Sequence, residues 1–146
     1  VSFLYFDANV SVKCYVNEIG STWVRNLFDE KETNARYKNV VFTAEITIVE
    51  TAAALSVIER IGRVNKKVRD SAFNMFLNDI ATRYRIIPIT SSLLLKAAFL
   101  TQKYPLKGYD AVQLAAALNL FEALKKQNRR MIFISGDKQL LHAAVA

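Results

Sequence analysis

The sequence predicts an α/β fold with a mainly parallel sheet and helices on its faces. Two observations carry that expectation. Short apolar runs alternate with longer stretches in which apolar residues recur at helical spacing. A parallel return needs a crossover, and the crossover helix covers a sheet face. In addition, four acidic residues far apart in the chain, Asp7, Glu50, Asp110 and Asp137, are fused to otherwise apolar segments. In parallel sheets, ligands bind beyond the carboxyl ends of the strands, and Asp7 and Asp137 each fall just past such an end.

Phe3 to Asp7 reads as a short buried strand. A helix follows through Val10 to Val16 and breaks at Asn17-Glu18-Ile19-Gly20. Ser21 is the expected cap of a second helix running to Glu30. The polar stretch Lys31 to Asn39 is a loop, and Val40 to Phe42 is the second strand. Thr43 is the expected cap of a long helix that carries Glu50 and stops at Gly62. Between Asn65 and Tyr84 the apolar positions Val68, Ala72, Met75, Phe76 and Ile80 keep close to a helical period. Arg85 to Ile89 is the third strand, placed at a sheet edge because Pro88 has no N–H for a ladder. Thr90 or Ser91 caps a helix to Lys103, and Pro105 and Gly108 mark the loop before the Asp110 helix. Arg130 to Ser135 is the fourth strand, and Gly136-Asp137 turns into a last helix.

A length of 146 residues argues for one domain over residues 1–146. A chain of this size buries roughly 70% of the surface its unfolded form exposes, so it needs no staple. The single cysteine, Cys14, excludes an internal disulfide and a zinc-type spacing. The single histidine, His142, excludes a multi-histidine metal site within one chain and serves no nucleophile motif. No apolar run approaches the ~20 residues that span a bilayer, and no secretory pattern opens the sequence. The expectation is a soluble cytoplasmic protein without a membrane partner. The chain starts at Val1 and ends within a helical pattern at Ala146, which raises the expectation of trimmed ends. The net charge of +7 favours polyanionic partners, nucleic acid above all.

Carboxylates are rarely buried unless paired or bound to a cation. Asp7, Asp110 and Asp137 each have a second reading as helix caps or as charges set against a helix dipole. Glu50 has no such reading. At helical spacing it shares a side with Ile46, Ala53, Ala54 and Val57, as Asp110 does with Leu114, Ala117 and Phe121. No basic residue occupies a neighbouring position on those faces. A shared divalent cation would supply the missing charge. An all-oxygen set suits Mg²⁺ or Mn²⁺ rather than zinc, and metal-assisted phosphodiester cleavage requires no protein nucleophile.

Four segments then carry a resemblance. They are Tyr5-Phe6-Asp7-Ala8-Asn9-Val10 through Lys13, Phe42 to Glu50, Leu106 to Ala117 around Tyr109-Asp110-Ala111, and Phe133-Ile134-Ser135-Gly136-Asp137 to Leu141. In order and spacing they resemble a PIN domain, and more narrowly the VapC-type toxins of type II toxin–antitoxin pairs. The resemblance implies a three-layer α/β/α fold with a mainly parallel sheet of four or five strands. It implies a Mg²⁺- or Mn²⁺-dependent ribonuclease, a cognate antitoxin and a homodimer. Asp7, Glu50 and Asp110 match the family's three most regular acids, and Asp137 the more variable fourth. Asn9 stands where a small polar residue is usual, and Ser135 where Ser or Thr is frequent. Ala8 departs from the frequent threonine, which removes a hydroxyl but no ligand.

Lys13 and Lys107 lie near the acids in sequence and are candidate substrate contacts, as are Lys67 and Arg69 within a basic helix–helix turn. Such groups contact phosphate without reading sequence. Trp23, Val24, Leu27 and Phe28 form an apolar segment expected to face a second copy or the antitoxin. The expected activity is hydrolysis of RNA by a toxin nuclease. Its rivals are a PIN nuclease that processes RNA without an antitoxin, a non-catalytic binding domain, and an ordinary basic α/β domain whose acids are caps.

Overall fold

The computed structural model describes residues 2–145. Four strands, β1 (Ser2–Phe6), β2 (Asn39–Ala44), β3 (Tyr84–Ile87) and β4 (Met131–Ile134), form one sheet in the order β3-β2-β1-β4. Every neighbouring pair is parallel, with Tyr5 opposite both Phe42 and Phe133. The helices are α1 (Ala8–Val12), α2 (Ser21–Asp29), α3 (Thr47–Arg60), α4 (Lys66–Thr82), α5 (Ser91–Lys103), α6 (Gly108–Lys126) and α7 (Lys138–Val145).

The alternation of β1 divides the core into two layers, because successive side chains leave opposite faces of a strand. Leu4 and Phe6 join Val41, Phe28, Phe76 and Tyr84 on the face covered by α2 and α4. Tyr5 turns to the other face, where α5 and α6 bring Leu93, Ala97, Ala111, Ala115 and Ala116 against it. A further cluster of Val12, Leu55, Ile58 and Ala72 ties α1, α3 and α4 together. The result is the expected α/β/α arrangement, with four strands. The third strand is at the sheet edge as expected, but it spans Tyr84–Ile87, so Pro88 follows it rather than lying within it. Asn65 and Thr90 cap α4 and α5 through their side chains.

The order of the strands places the site. From β1 the chain steps outward through β2 to β3, then returns to add β4 on the other side of β1. The strand order therefore reverses between β1 and β4, the place where such sheets open a ligand crevice. Asp7 follows β1, and Ser135-Gly136-Asp137 follow β4.

Three further sequence expectations are corrected. The first helix ends at Val12 and gives way to turns before Val16. Ser21 is the first residue of α2, not its cap. Gly20 holds that place at φ +88°, a conformation that suits glycine. The Ser21 hydroxyl donates back to the Val16 carbonyl at 3.0 Å. Thr43 lies within β2, and α3 begins after Ile46 without a side-chain cap.

Candidate active site

Asp7 is 3% exposed. Its backbone is extended, and its Oδ1 accepts the Val10 N–H at 3.0 Å, so the cap reading of this residue is correct. Its Oδ2 accepts the Ser135 hydroxyl. Burial pushes the Asp7 carboxyl up to about 6 against the lowering effect of those two donors, and Asp110 and Asp137 push it further in the same direction.

Glu50 lies in the first turn of α3. The buried face of α3 is Thr47, Thr51, Leu55 and Ile58, so the face assigned to Glu50 from the sequence is corrected. Val57 is exposed, and Glu50 is half-buried at the flank. Desolvation still raises its carboxyl to about 7. The Gln113 amide, donating to Oε1 at 2.8 Å, opposes this, and Asp110 and Asp7 add to it.

Asp110 sits in the first turn of α6, after Lys107 at the N-cap position, and is half-buried. Desolvation and Asp137 raise its carboxyl, and Lys107 lowers it. Asp137 closes the set. Its N–H donates to the Ser135 Oγ at 3.0 Å, while its own Oδ1 accepts the N–H groups of Gln139 and Leu140 at 2.8 and 3.1 Å. Asp137 therefore also caps a helix, as its second reading held. Asp7 is repelled by Asp110 and Asp137, Glu50 by Asp110 and Asp7, and Asp110 by Asp137, and among the described residues none of the four forms an ion pair.

A model of the PIN domain matches residues 4–146. The chain belongs to the PIN domain family. Three solved structures share its fold. VapC20 of Mycobacterium tuberculosis, described as a sarcin-ricin loop cleaving toxin, aligns with a TM-score of 0.59 at 17% identity, over 97% of this chain and 95% of its own. FitAcB of Neisseria gonorrhoeae aligns at 0.60 and 17% identity, over 99% and 94%. VapBC2 of Rickettsia felis, bound to a DNA fragment from its promoter, aligns at 0.53 and 12% identity, over 91% and 98%. Comparison with curated protein sequences finds no match.

Among the described residues of this PIN domain, no three Asp, Glu, His or Cys side chains are arranged to grip a metal ion as they stand. The donor set nonetheless fits a hard divalent cation. It is made of carboxylate oxygens, and the Asp7 and Glu50 carboxyls are raised first by burial and then by the neighbouring acids, a cost that a bound cation would relieve.

The remaining predicted residues divide. Ser135 is at the centre, bridging Asp7 and Asp137. Asn9 is exposed on α1. Lys107 is exposed and close enough to act on Asp110. Lys13 is engaged by the Ile19 carbonyl at 2.8 Å and by Glu18 at 3.5 Å. Arg69 is tied to Glu59 and Asp70, at 2.5 and 2.7 Å. Lys67 lies on the surface of α4 beside Asp70 and Asn74, apart from the acids.

Sequence reasoning missed Gln113, which is 1% exposed and donates to both Thr47 Oγ1 and Glu50 Oε1 at 2.8 Å. An amide inside the apolar run from Ala111 to Leu118 was the available signal. The expected partner-facing segment is split: Trp23 is 58% exposed, while Val24 and Phe28 are buried in the chain's own core.

Proposed function

We propose that this PIN domain is a metal-dependent endoribonuclease, the toxin of a toxin–antitoxin pair, forming one catalytic unit over residues 1–146. The observation that carries the reading is the set of four acids without ion-pair partners at the point where the strand order reverses. Asp7, Glu50, Asp110 and Asp137 would hold Mg²⁺ or Mn²⁺. A bound ion of this kind supplies charge stabilisation at phosphate and makes water a stronger nucleophile at neutral pH.

The chain's own residues do the rest. Val10 N–H and the Ser135 hydroxyl fix both oxygens of Asp7. Gln113 holds Glu50 through a hydrogen bond to Oε1, and the Glu50 carboxylate would contribute to holding the ion. Lys107, beside Asp110, would meet a phosphate of the RNA. The likeness to VapC20 supports the toxin reading, and the likeness to VapBC2 and FitAcB supports an antitoxin partner. Cytoplasmic location and a homodimer belong to the same proposal.

The test is a defined RNA incubated with purified protein free of antitoxin. Cleavage is expected with Mg²⁺ or Mn²⁺ and is expected to stop in EDTA. Asp110→Asn is expected to lower the rate at least about a hundredfold, the scale of losing one strong electrostatic stabiliser. Equal cleavage by wild type and variant, or cleavage that persists in EDTA, would refute the assignment.

A further inference from the structure

Beneath the acids runs one continuous chain of buried hydrogen bonds. The Thr43 hydroxyl donates to the Phe6 carbonyl at 2.8 Å. Its proton is thereby committed, so at 2.7 Å it accepts from the Thr47 hydroxyl. Thr47, having donated, accepts from Gln113 Nε2 at 2.8 Å. The second proton of that nitrogen goes to Glu50 Oε1 at 2.8 Å. The Gln113 carbonyl accepts the Tyr5 hydroxyl at 2.5 Å, and burial raises the phenol pKa well above its usual value, so it stays a donor. Tyr5, Thr43, Thr47 and Gln113 are all buried.

The chain has a single polarity. A flipped Gln113 amide would set its carbonyl oxygen against the Glu50 carboxylate and leave Thr47 without a donor. The route also touches each element that carries a principal acid. Tyr5 and Phe6 precede Asp7 on β1, Thr47 stands one turn before Glu50 on α3, and Gln113 stands one turn after Asp110 on α6. Thr43 joins them through β2.

We propose that Gln113 is a positioning residue that, with Thr47 and Thr43, fixes the Glu50 carboxylate relative to Asp7 and Asp110 and so sets the affinity of the site for a divalent cation. This rests on reading the acids as a cation site. A buried glutamine with a purely structural role would act on folding alone. One that aims a ligand acts on ion binding, and acts through Glu50.

The experiment is calorimetric titration of the whole chain with Mn²⁺ alone. The variants are Gln113→Leu, Glu50→Gln and the double substitution, each checked for folding by circular dichroism. Gln113→Leu is expected to weaken Mn²⁺ binding by about ten- to a hundredfold, the scale on which partners of metal ligands tune affinity. In the Glu50→Gln background the same change is expected to cost little more, because the two act as one unit. A folded Gln113→Leu that binds Mn²⁺ as wild type does, or a loss that adds in full to that of Glu50→Gln, overturns the proposal. Should Gln113→Leu not fold, Thr47→Val, which removes the hydroxyl holding the amide, is expected to weaken Mn²⁺ binding, and unchanged affinity overturns the proposal. Wild type that binds no Mn²⁺ overturns the cation site and this inference with it, an outcome distinct from a wild type that binds while its variants bind equally.

Discussion

At Asp7 a carboxylate is held almost out of water by two neutral donors and no cationic partner. Its pKa of about 6 stands against 3.8 for an ordinary aspartate. Between those values the folded chain keeps a proton that the unfolded chain has released. Stability therefore falls as pH rises through the window, and above about 6 the full penalty stands. Two pKa units correspond to roughly 3 kcal/mol. Glu50, at about 7, carries the same slope toward neutrality. Asp7→Asn removes the charge and keeps an acceptor for Val10. Without divalent ion at pH 7.5 the variant is expected to melt above wild type, and the gap is expected to close toward pH 4. Mn²⁺ is expected to raise the melting temperature of wild type by mass action and to do little for the variant. Thermal melts across this pH range, with and without Mn²⁺, measure both effects. A gap that widens toward pH 4 would contradict the account.

Helix α6 carries both Asp110 and Gln113, so its seating on the sheet governs the site. Its inner face is built from alanines, with Ala111, Ala115 and Ala116 packed against β1, β2 and α5. Small side chains let the helix lie close. Ala115→Leu is expected to destabilise the fold by about 1–3 kcal/mol through overpacking, seen as a lower urea midpoint, and to weaken Mn²⁺ binding by displacing both polar residues. An unchanged midpoint would mean that the alanine face is not closely packed. Elements of this kind explain what the sequence makes legible. Thr90 acts through local backbone chemistry, so its role as a cap could be read from neighbouring residues alone. Asp7 and Asp137 could be placed because they end apolar runs. Gln113 could not be understood that way, because its meaning depends on Tyr5, Thr47 and Glu50, which arrive from other elements. Thr43 is a strand residue and not a cap, because its hydroxyl finds the Phe6 carbonyl across the sheet, a partner invisible to local pattern. The face of Glu50 is not legible in the sequence because α3 is apolar on more than one side, with Val49 and Val57 exposed, so periodicity alone does not choose between them.

The whole molecule combines a net charge of +7 with a local cluster of acids, and these act at different ranges. On the proposed reading, the positive field would attract RNA from a distance, whereas the acid rim would repel phosphate until a cation stood between them. Binding and cleavage should therefore separate. In EDTA, wild type and Asp110→Asn are both expected to bind a single-stranded RNA that neither cuts. Affinity is expected to fall linearly on a log–log plot against salt, with a slope of about −0.7 per phosphate neutralised on a single strand. The basic residues are not equivalent in this. Lys107 is exposed beside Asp110 and free to meet a phosphate, so Lys107→Ala is expected to flatten the slope by roughly 0.7, one contact's worth. Lys13 is already committed to Glu18 and the Ile19 carbonyl, and Lys13→Ala is expected to leave the slope nearly unchanged. Fluorescence anisotropy with a labelled RNA over a salt series reads all of these slopes. If Lys13→Ala flattens the slope as much as Lys107→Ala, the RNA is held by overall charge rather than by a cation beside the acid rim.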